Sequence, residues 1–272
     1  MSRHWTLDDV AWERFEATKV DPRLVRMVKA SALVERNGAD YGIYLRNVFG
    51  GDAEFCAIVD EWAKEEIQHG EALRRWAELA DPGFDFDEAF RRFTDGYSLP
   101  LETETSVRGS RCGELVARCI VETGTSSLYS ALYDACDEPV LRELCRRIAA
   151  DEIRHYKLFL TWVERYRQRE GLGRWGRMKV ALGRMWESGD DELAYAWYAA
   201  NERDRAYDHR RDSAAITHAA YACYQPKHVR KVIRLVLRAV GFRSRPKIDA
   251  FLTRLAWGLI RWRLRRLERV AA

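Results

Sequence analysis

Ala150-Asp151-Glu152-Ile153-Arg154-His155 sets a carboxylate and an imidazole three residues apart in the middle of an apolar run. Leu141, Cys145, Ile148, Glu152, His155, Phe159 and Trp162 follow steps of three and four, so the spacing predicts one helix face carrying two ionisable groups among aliphatic and aromatic side chains. The same arrangement occurs upstream, around Glu65-Glu66-Ile67-Gln68-His69-Gly70. There Phe55, Val59, Trp62, Glu66, His69, Leu73 and Trp76 form the stripe, with Glu, His and Trp in matching places.

A carboxylate buried alone is costly and takes up a proton or turns to solvent. Two divalent or trivalent ions offset that cost for a whole cluster of carboxylates. Each Glu-x-x-His pair can face one ion, but a two-metal bundle also needs a carboxylate from each of two other helices. Glu35 fits the first position, with Val28, Ser31, Ala32, Gly38, Ala39 and Gly42 around it on a helical wheel, small enough to let helices approach. Glu122 fits the second, within Val121-Glu122-Thr123-Gly124-Thr125-Ser126-Ser127. The Glu35–Glu66 and Glu122–Glu152 separations, 31 and 30 residues, suit one hairpin geometry used twice. The expected metal ligands are therefore Glu35, Glu66, His69, Glu122, Glu152 and His155.

Helical spacing predicts helices over Pro22 to Asn47 and Ala53 to Leu79, separated by Gly50-Gly51-Asp52 and closed by Asp81-Pro82-Gly83. A long connection follows, with a short helix around Asp87 to Thr94. Two more helices are expected at Arg111 to Cys136 and Glu138 to Gln168. Short loop, long crossover, short loop is the topology of an all-α, ferritin-like four-helix bundle. Its expected extent is residues 20–170, with residues 171–272 a helical extension after Gly171-Leu172-Gly173. Within the extension, helices are expected near Trp175 to Trp186, Asp190 to Arg210, Lys227 to Val240 and Lys247 to Arg269.

On these motifs the sequence resembles the ferritin-like dimetal carboxylate superfamily and, within it, the soluble acyl-carrier-protein desaturases, over about residues 30 to 165. Gln68 stands where those desaturases usually carry arginine. The resemblance implies two Fe ions, or a Mn/Fe pair, with Glu35 and Glu122 as terminal ligands, Glu66 and Glu152 bridging, and His69 and His155 binding one ion each. It also implies that Asp151 and Arg154 orient an imidazole and stabilise ligand charge, and that Thr125 lies beside the oxygen-binding face. A local bond from the Thr125 hydroxyl to its own helix is the alternative. The same six-ligand pattern is similar to that of aldehyde deformylating oxygenases, of ligand-binding oxidases with iron or manganese, and of rubrerythrin-like proteins.

A chain of 272 residues, 47% apolar and 32% charged, has the means to bury a full core. Hard carboxylates and imidazoles without a cysteine ligand suit Fe or Mn and do not resemble a structural zinc knot. The leading expectation is an oxygen-activating oxidoreductase for a hydrophobic, acyl-like substrate, with Trp62, Leu73, Trp76, Phe159 and Trp162 either lining the substrate region or serving as core. Tyr129, seven residues after Glu122, is expected as core, with a radical or hydrogen-bonding neighbour of the site as the alternative. The open alternatives are a ferroxidase or iron-handling protein, and a metal-stabilised lipid- or partner-binding protein without turnover.

Cys56, Cys112, Cys119, Cys136, Cys145 and Cys223 form no Cys-x-x-Cys pair, which suits packed thiols in a cytoplasmic protein and requires an external electron donor. No apolar stretch approaches the ~20 residues that cross a bilayer. The net charge of +4 is unevenly placed. Beyond Lys227 only Asp249 and Glu268 are acidic, whereas Arg254, Arg261, Arg263, Arg265, Arg266 and Arg269 alternate with Phe251, Leu255, Leu259 and Trp262. Three readings of this basic end compete: docking on the bundle, peripheral contact with the inner membrane surface, and contact with an acidic carrier protein. The expected partners are completed by dioxygen; a homodimer is open, and nucleic acid is not expected because no reading motif accompanies the charges.

Overall fold

The computed structural model describes residues 4–186 and 191–271, without the side chains of Trp186 and residues 268–271. Asp190, expected at a helix start, and the side chains of Glu268 and Arg269 in the basic run lie outside the described residues. Among the described residues the fold is all-α, without strands. Three short 3₁₀ turns (Leu7–Asp9, Trp12–Arg14 and Ala17–Lys19) precede α1 (Pro22–Arg36), α2 (Gly38–Val48), α3 (Ala53–Ala80) and α4 (Phe86–Gly96). Then come α5 (Arg111–Ala135), α6 (Pro139–Glu170), α7 (Arg174–Trp186), α8 (Asp191–Asn201), α9 (His209–Cys223), α10 (Pro226–Ala239) and α11 (Pro246–Ala271). The result is a helical bundle followed by additional C-terminal helices.

Side-chain caps explain several helix starts. Asp21 accepts from Arg23 N at 2.8 Å ahead of Pro22, Asp52 from Phe55 N at 3.1 Å, and Asp85 from Glu88 N at 3.0 Å. Glu138 does the same for α6 with both carboxylate oxygens, accepting from Val140 N at 3.2 Å and Leu141 N at 2.7 Å. The single helix expected over Pro22 to Asn47 is two. Asn37 keeps a right-handed helical backbone, but its N–H is shared between Leu33 O and Val34 O, both at 3.1 Å, and the chain restarts at Gly38. The helix expected from Asp190 to Arg210 likewise ends at Asn201. A turn held by the Arg205–Asp212 ion pair and by Asp208 N donating to Asp212 at 3.1 Å then leads into α9.

By contact density the described residues form two compact units. The first takes in Met1–Thr103, Leu132–Arg146 and Gly189–Ala219. Here α3 packs along α1 and α2, and α8 packs on α1 and α4. Leu33, Leu45, Phe49, Phe55, Leu73 and Trp76 are fully buried, with Phe49 and Phe55 centroids 4.3 Å apart. Part of the chain beyond Gly171 therefore returns to the first helices: Tyr41 donates to Glu192 at 2.7 Å, and Arg92 donates to Ala199 O at 3.2 Å. The second unit comprises Glu104–Ala131, Arg147–Ser188 and Ala220–Ala272. Within it Tyr156 on α6 donates to Leu235 O at 2.8 Å, and Lys231 donates to Ser126 O at 3.1 Å and Ser130 Oγ at 3.0 Å. These bonds hold α10 to α5 and α6.

Candidate metal centre

Each unit carries one half of the predicted ligand set, and the halves repeat one geometry. In the first, α1 supplies Glu35 and α3 supplies Glu66 and His69, all buried. His69 Nδ1 lies 3.7 Å from Glu35 Oε2. In the second, α5 supplies Glu122 and α6 supplies Glu152 and His155, also buried. His155 Nδ1 lies 3.7 Å from Glu122 Oε2 and 3.9 Å from Glu152 Oε1. In each half the histidine lies beside the glutamate of another helix, Glu35 on α1 and Glu122 on α5.

Two donor groups of four result, each with its ligand atoms within 4.8 Å of one another. One is Glu35, Glu66, His69 and Glu152; the other is Glu66, Glu122, Glu152 and His155. Glu66 and Glu152 are common to both groups. These two clustered Glu/His sites resemble a ferritin-like dimetal arrangement. The donor set fits two divalent ions: four carboxylates against four positive charges, with imidazole donors and no thiolate.

Glycines set the helix approach in the first half. A Cβ on Gly70, next to His69, would stand 2.6 Å from Arg36 N and 2.9 Å from Arg36 Cα, immediately after Glu35. Gly38 meets Glu66 in the same way. Only hydrogen fits at these places, so the backbones come close enough for short ligand side chains to converge.

The surroundings of the two halves differ. Beside His69, the Trp5 ring stacks at 6.1 Å between centroids with an interplanar angle of 10°, and Gln68 Nε2 donates to Trp5 O at 2.9 Å. Gln68 thereby fastens the segment preceding α1. Beside Glu152, the Thr125 hydroxyl donates to the carboxylate in a short hydrogen bond. It also lies 3.2 Å from Val121 O and 3.3 Å from Glu122 O, the local helix bonding expected as the alternative for this residue. Asp151 is buried and forms a short ion pair with the more exposed Arg154. Lys231 is a further neighbour: burial lowers its ammonium pKa, and the Glu152 charge works in the opposite direction.

Sequence reasoning missed Trp5, Lys231 and Glu138. Glu138 is fully buried yet stays apart from the metal groups, because N–H groups satisfy it: besides its two helix-cap bonds it accepts from Trp76 Nε1 at 2.7 Å and Glu16 N at 3.2 Å. Trp76, one of the aromatic residues considered for a substrate region, is thus engaged in capping α6. Tyr129, Phe159 and Trp162 are buried core side chains. No protein-family model matches the chain, and comparison with curated proteins returns no match.

Proposed function

We propose that this protein is a dinuclear metal-dependent, oxygen-activating oxidoreductase acting on a hydrophobic, acyl-like substrate. The observation that carries the proposal is the repeated half-site, Glu and Glu-x-x-His at matching distances, with two carboxylates common to both donor groups. Two iron ions, or a Mn/Fe pair, held by Glu35, Glu66, His69, Glu122, Glu152 and His155 would supply the electrons and Lewis acidity for dioxygen activation.

The chain's own residues do the rest. Burial of all six ligands keeps bulk water from the centre, which favours oxidation of an apolar substrate over loss of oxidising equivalents to solvent. The Thr125 hydroxyl holds one Glu152 oxygen and fixes that carboxylate's orientation, while Asp151 and Arg154 steady the adjoining turn of α6. Dioxygen and an external electron donor are the co-reactants.

The test is anaerobic Fe(II) loading followed by dioxygen, with metal stoichiometry and oxidation of fatty acyl thioesters and fatty aldehydes followed together. Two metals per chain and an oxidised product are expected. Failure to bind two metals under reducing conditions overturns the dinuclear reading. Two metals with continuing iron uptake and no substrate conversion replaces it with iron handling.

A further inference from the structure

Helix α11 carries a one-residue-wide apolar row on its solvent side. Ile248, Phe251, Leu255, Leu259 and Trp262 are 46–66% exposed and follow steps of three and four. They lie within roughly 40° of Leu255 on a helical wheel and run for about 20 Å along the axis. The opposite side is the packed one, where Asp249 and Thr253 are buried, Ser244 donates to Asp249, and α10 lies alongside. Cations flank the row on both sides. Lys247, Arg254 and Arg265 fall roughly 80–100° one way and Arg263 about 80° the other way. All four are exposed, and Arg266 sits over the Trp262 ring at 5.7 Å.

A second exposed apolar patch adjoins the start of this helix. Trp175 and Leu182 of α7 are 77% and 52% exposed, and the Trp175 ring meets Phe242, just before α11, at 5.7 Å between centroids. Of the eleven large hydrophobic side chains exposed among the described residues, eight lie on these two helices. Such concentration marks a contact surface.

We infer that α11 and the neighbouring end of α7 attach the protein peripherally to an anionic lipid surface. Aromatic and leucine side chains would enter the interface while the flanking arginines reach lipid phosphates, which is the physics of an interfacial amphipathic helix. Charge decides against a second copy: pairing two such rows would set arginine flank against arginine flank.

The test is co-sedimentation of the full chain with phosphatidylcholine vesicles, with and without phosphatidylglycerol. Binding is expected only with phosphatidylglycerol and should weaken with salt. Combined Arg254→Gln, Arg263→Gln and Arg265→Gln should lower it about a hundredfold. Leu255→Ser with Leu259→Ser should abolish it, with helicity by circular dichroism unchanged because both side chains are exposed. Equal binding to neutral vesicles, no binding to either, or indifference to these substitutions overturns the inference. A lipid-free dimer that dissociates on Leu255→Ser with Leu259→Ser also overturns it and assigns the row to a second copy.

Discussion

Gly38 lies against Glu66 with no room for a methyl group between them: a Cβ on the glycine would overlap Glu66 Cβ and stand 3.2 Å from its Cγ. The start of α2 and a ligand-bearing turn of α3 are thereby held at a spacing only glycine permits. Alanine would gain about 1 kcal/mol of helix propensity. Forcing the overlap costs about 1–3 kcal/mol and displaces Glu66. Gly38→Ala should therefore lower both stability in urea and metal stoichiometry. Gly124→Ala on α5, where a Cβ meets nothing within 4 Å, should leave stability unchanged or slightly raised.

Glu138 binds four N–H groups with one buried carboxylate, joining the start of α6 to Trp76 and to the segment before α1. Removing it leaves buried donors unsatisfied. Glu138→Ala should cost about 3 kcal/mol in urea unfolding, and Glu138→Gln, which keeps one acceptor oxygen, about half as much. A neutral effect of Glu138→Ala would mean that the carboxylate is dispensable to the cap.

The contrast between Glu138 and the six residues of the two donor groups shows what a sequence can disclose. Glu66, His69, Glu152 and His155 are legible because they interrupt apolar stripes of helical period, and the same interruption occurs twice. Glu35 and Glu122 follow from their place on the preceding helices. Glu138 interrupts nothing: a glutamate ahead of a helical proline reads as a solvated cap, and its partners Trp76 and Glu16 lie 62 and 122 residues away. The break at Asn37 is equally hidden, because its backbone stays helical and only the sharing of its N–H marks the restart. In α11 the amphipathic pattern is plain, but periodicity does not say which face the rest of the chain covers.

Thr125 separates positioning of a ligand from ordinary helix bonding. Thr125→Val keeps the shape and removes the hydroxyl that reaches Glu152; Thr125→Ser keeps the hydroxyl. Val should weaken metal binding about 10–100-fold while Ser stays near the parent. Equal affinity in all three assigns the hydroxyl to the carbonyls of Val121 and Glu122 instead.

Buried thiols predict an alkaline limit to stability. Burial pushes Cys112 and Cys136 up from the usual 9.0 to about 11. The unfolded chain loses these protons first, so their contribution is complete below pH about 9 and is lost as pH rises toward 11. Each thiol contributes about 2 kcal/mol to that decline. Urea unfolding should show falling stability across this window. Cys136→Ala should flatten the slope, even where it lowers stability at neutral pH. A parent profile that is level through the window contradicts the assignment.

Sharing of ligands makes the metal stoichiometry of variants unequal. Glu35 and His69 belong to one donor group, Glu122 and His155 to the other, and Glu66 and Glu152 to both. His69→Ala and His155→Ala should each leave one tightly bound metal per chain, because four carboxylates and one imidazole remain. Glu66→Ala or Glu152→Ala removes a donor from both groups at once, so neither ion keeps its set and binding should fall toward zero. Thermal unfolding reads the same hierarchy: metal at about a hundred times its dissociation constant adds about 2.7 kcal/mol per site, so the gain in melting temperature should be largest in the parent, reduced in the histidine variants and close to nil in the shared-carboxylate variants. If Glu152→Ala retained one metal as firmly as His155→Ala does, the two groups would be independent sites and no carboxylate would serve both ions.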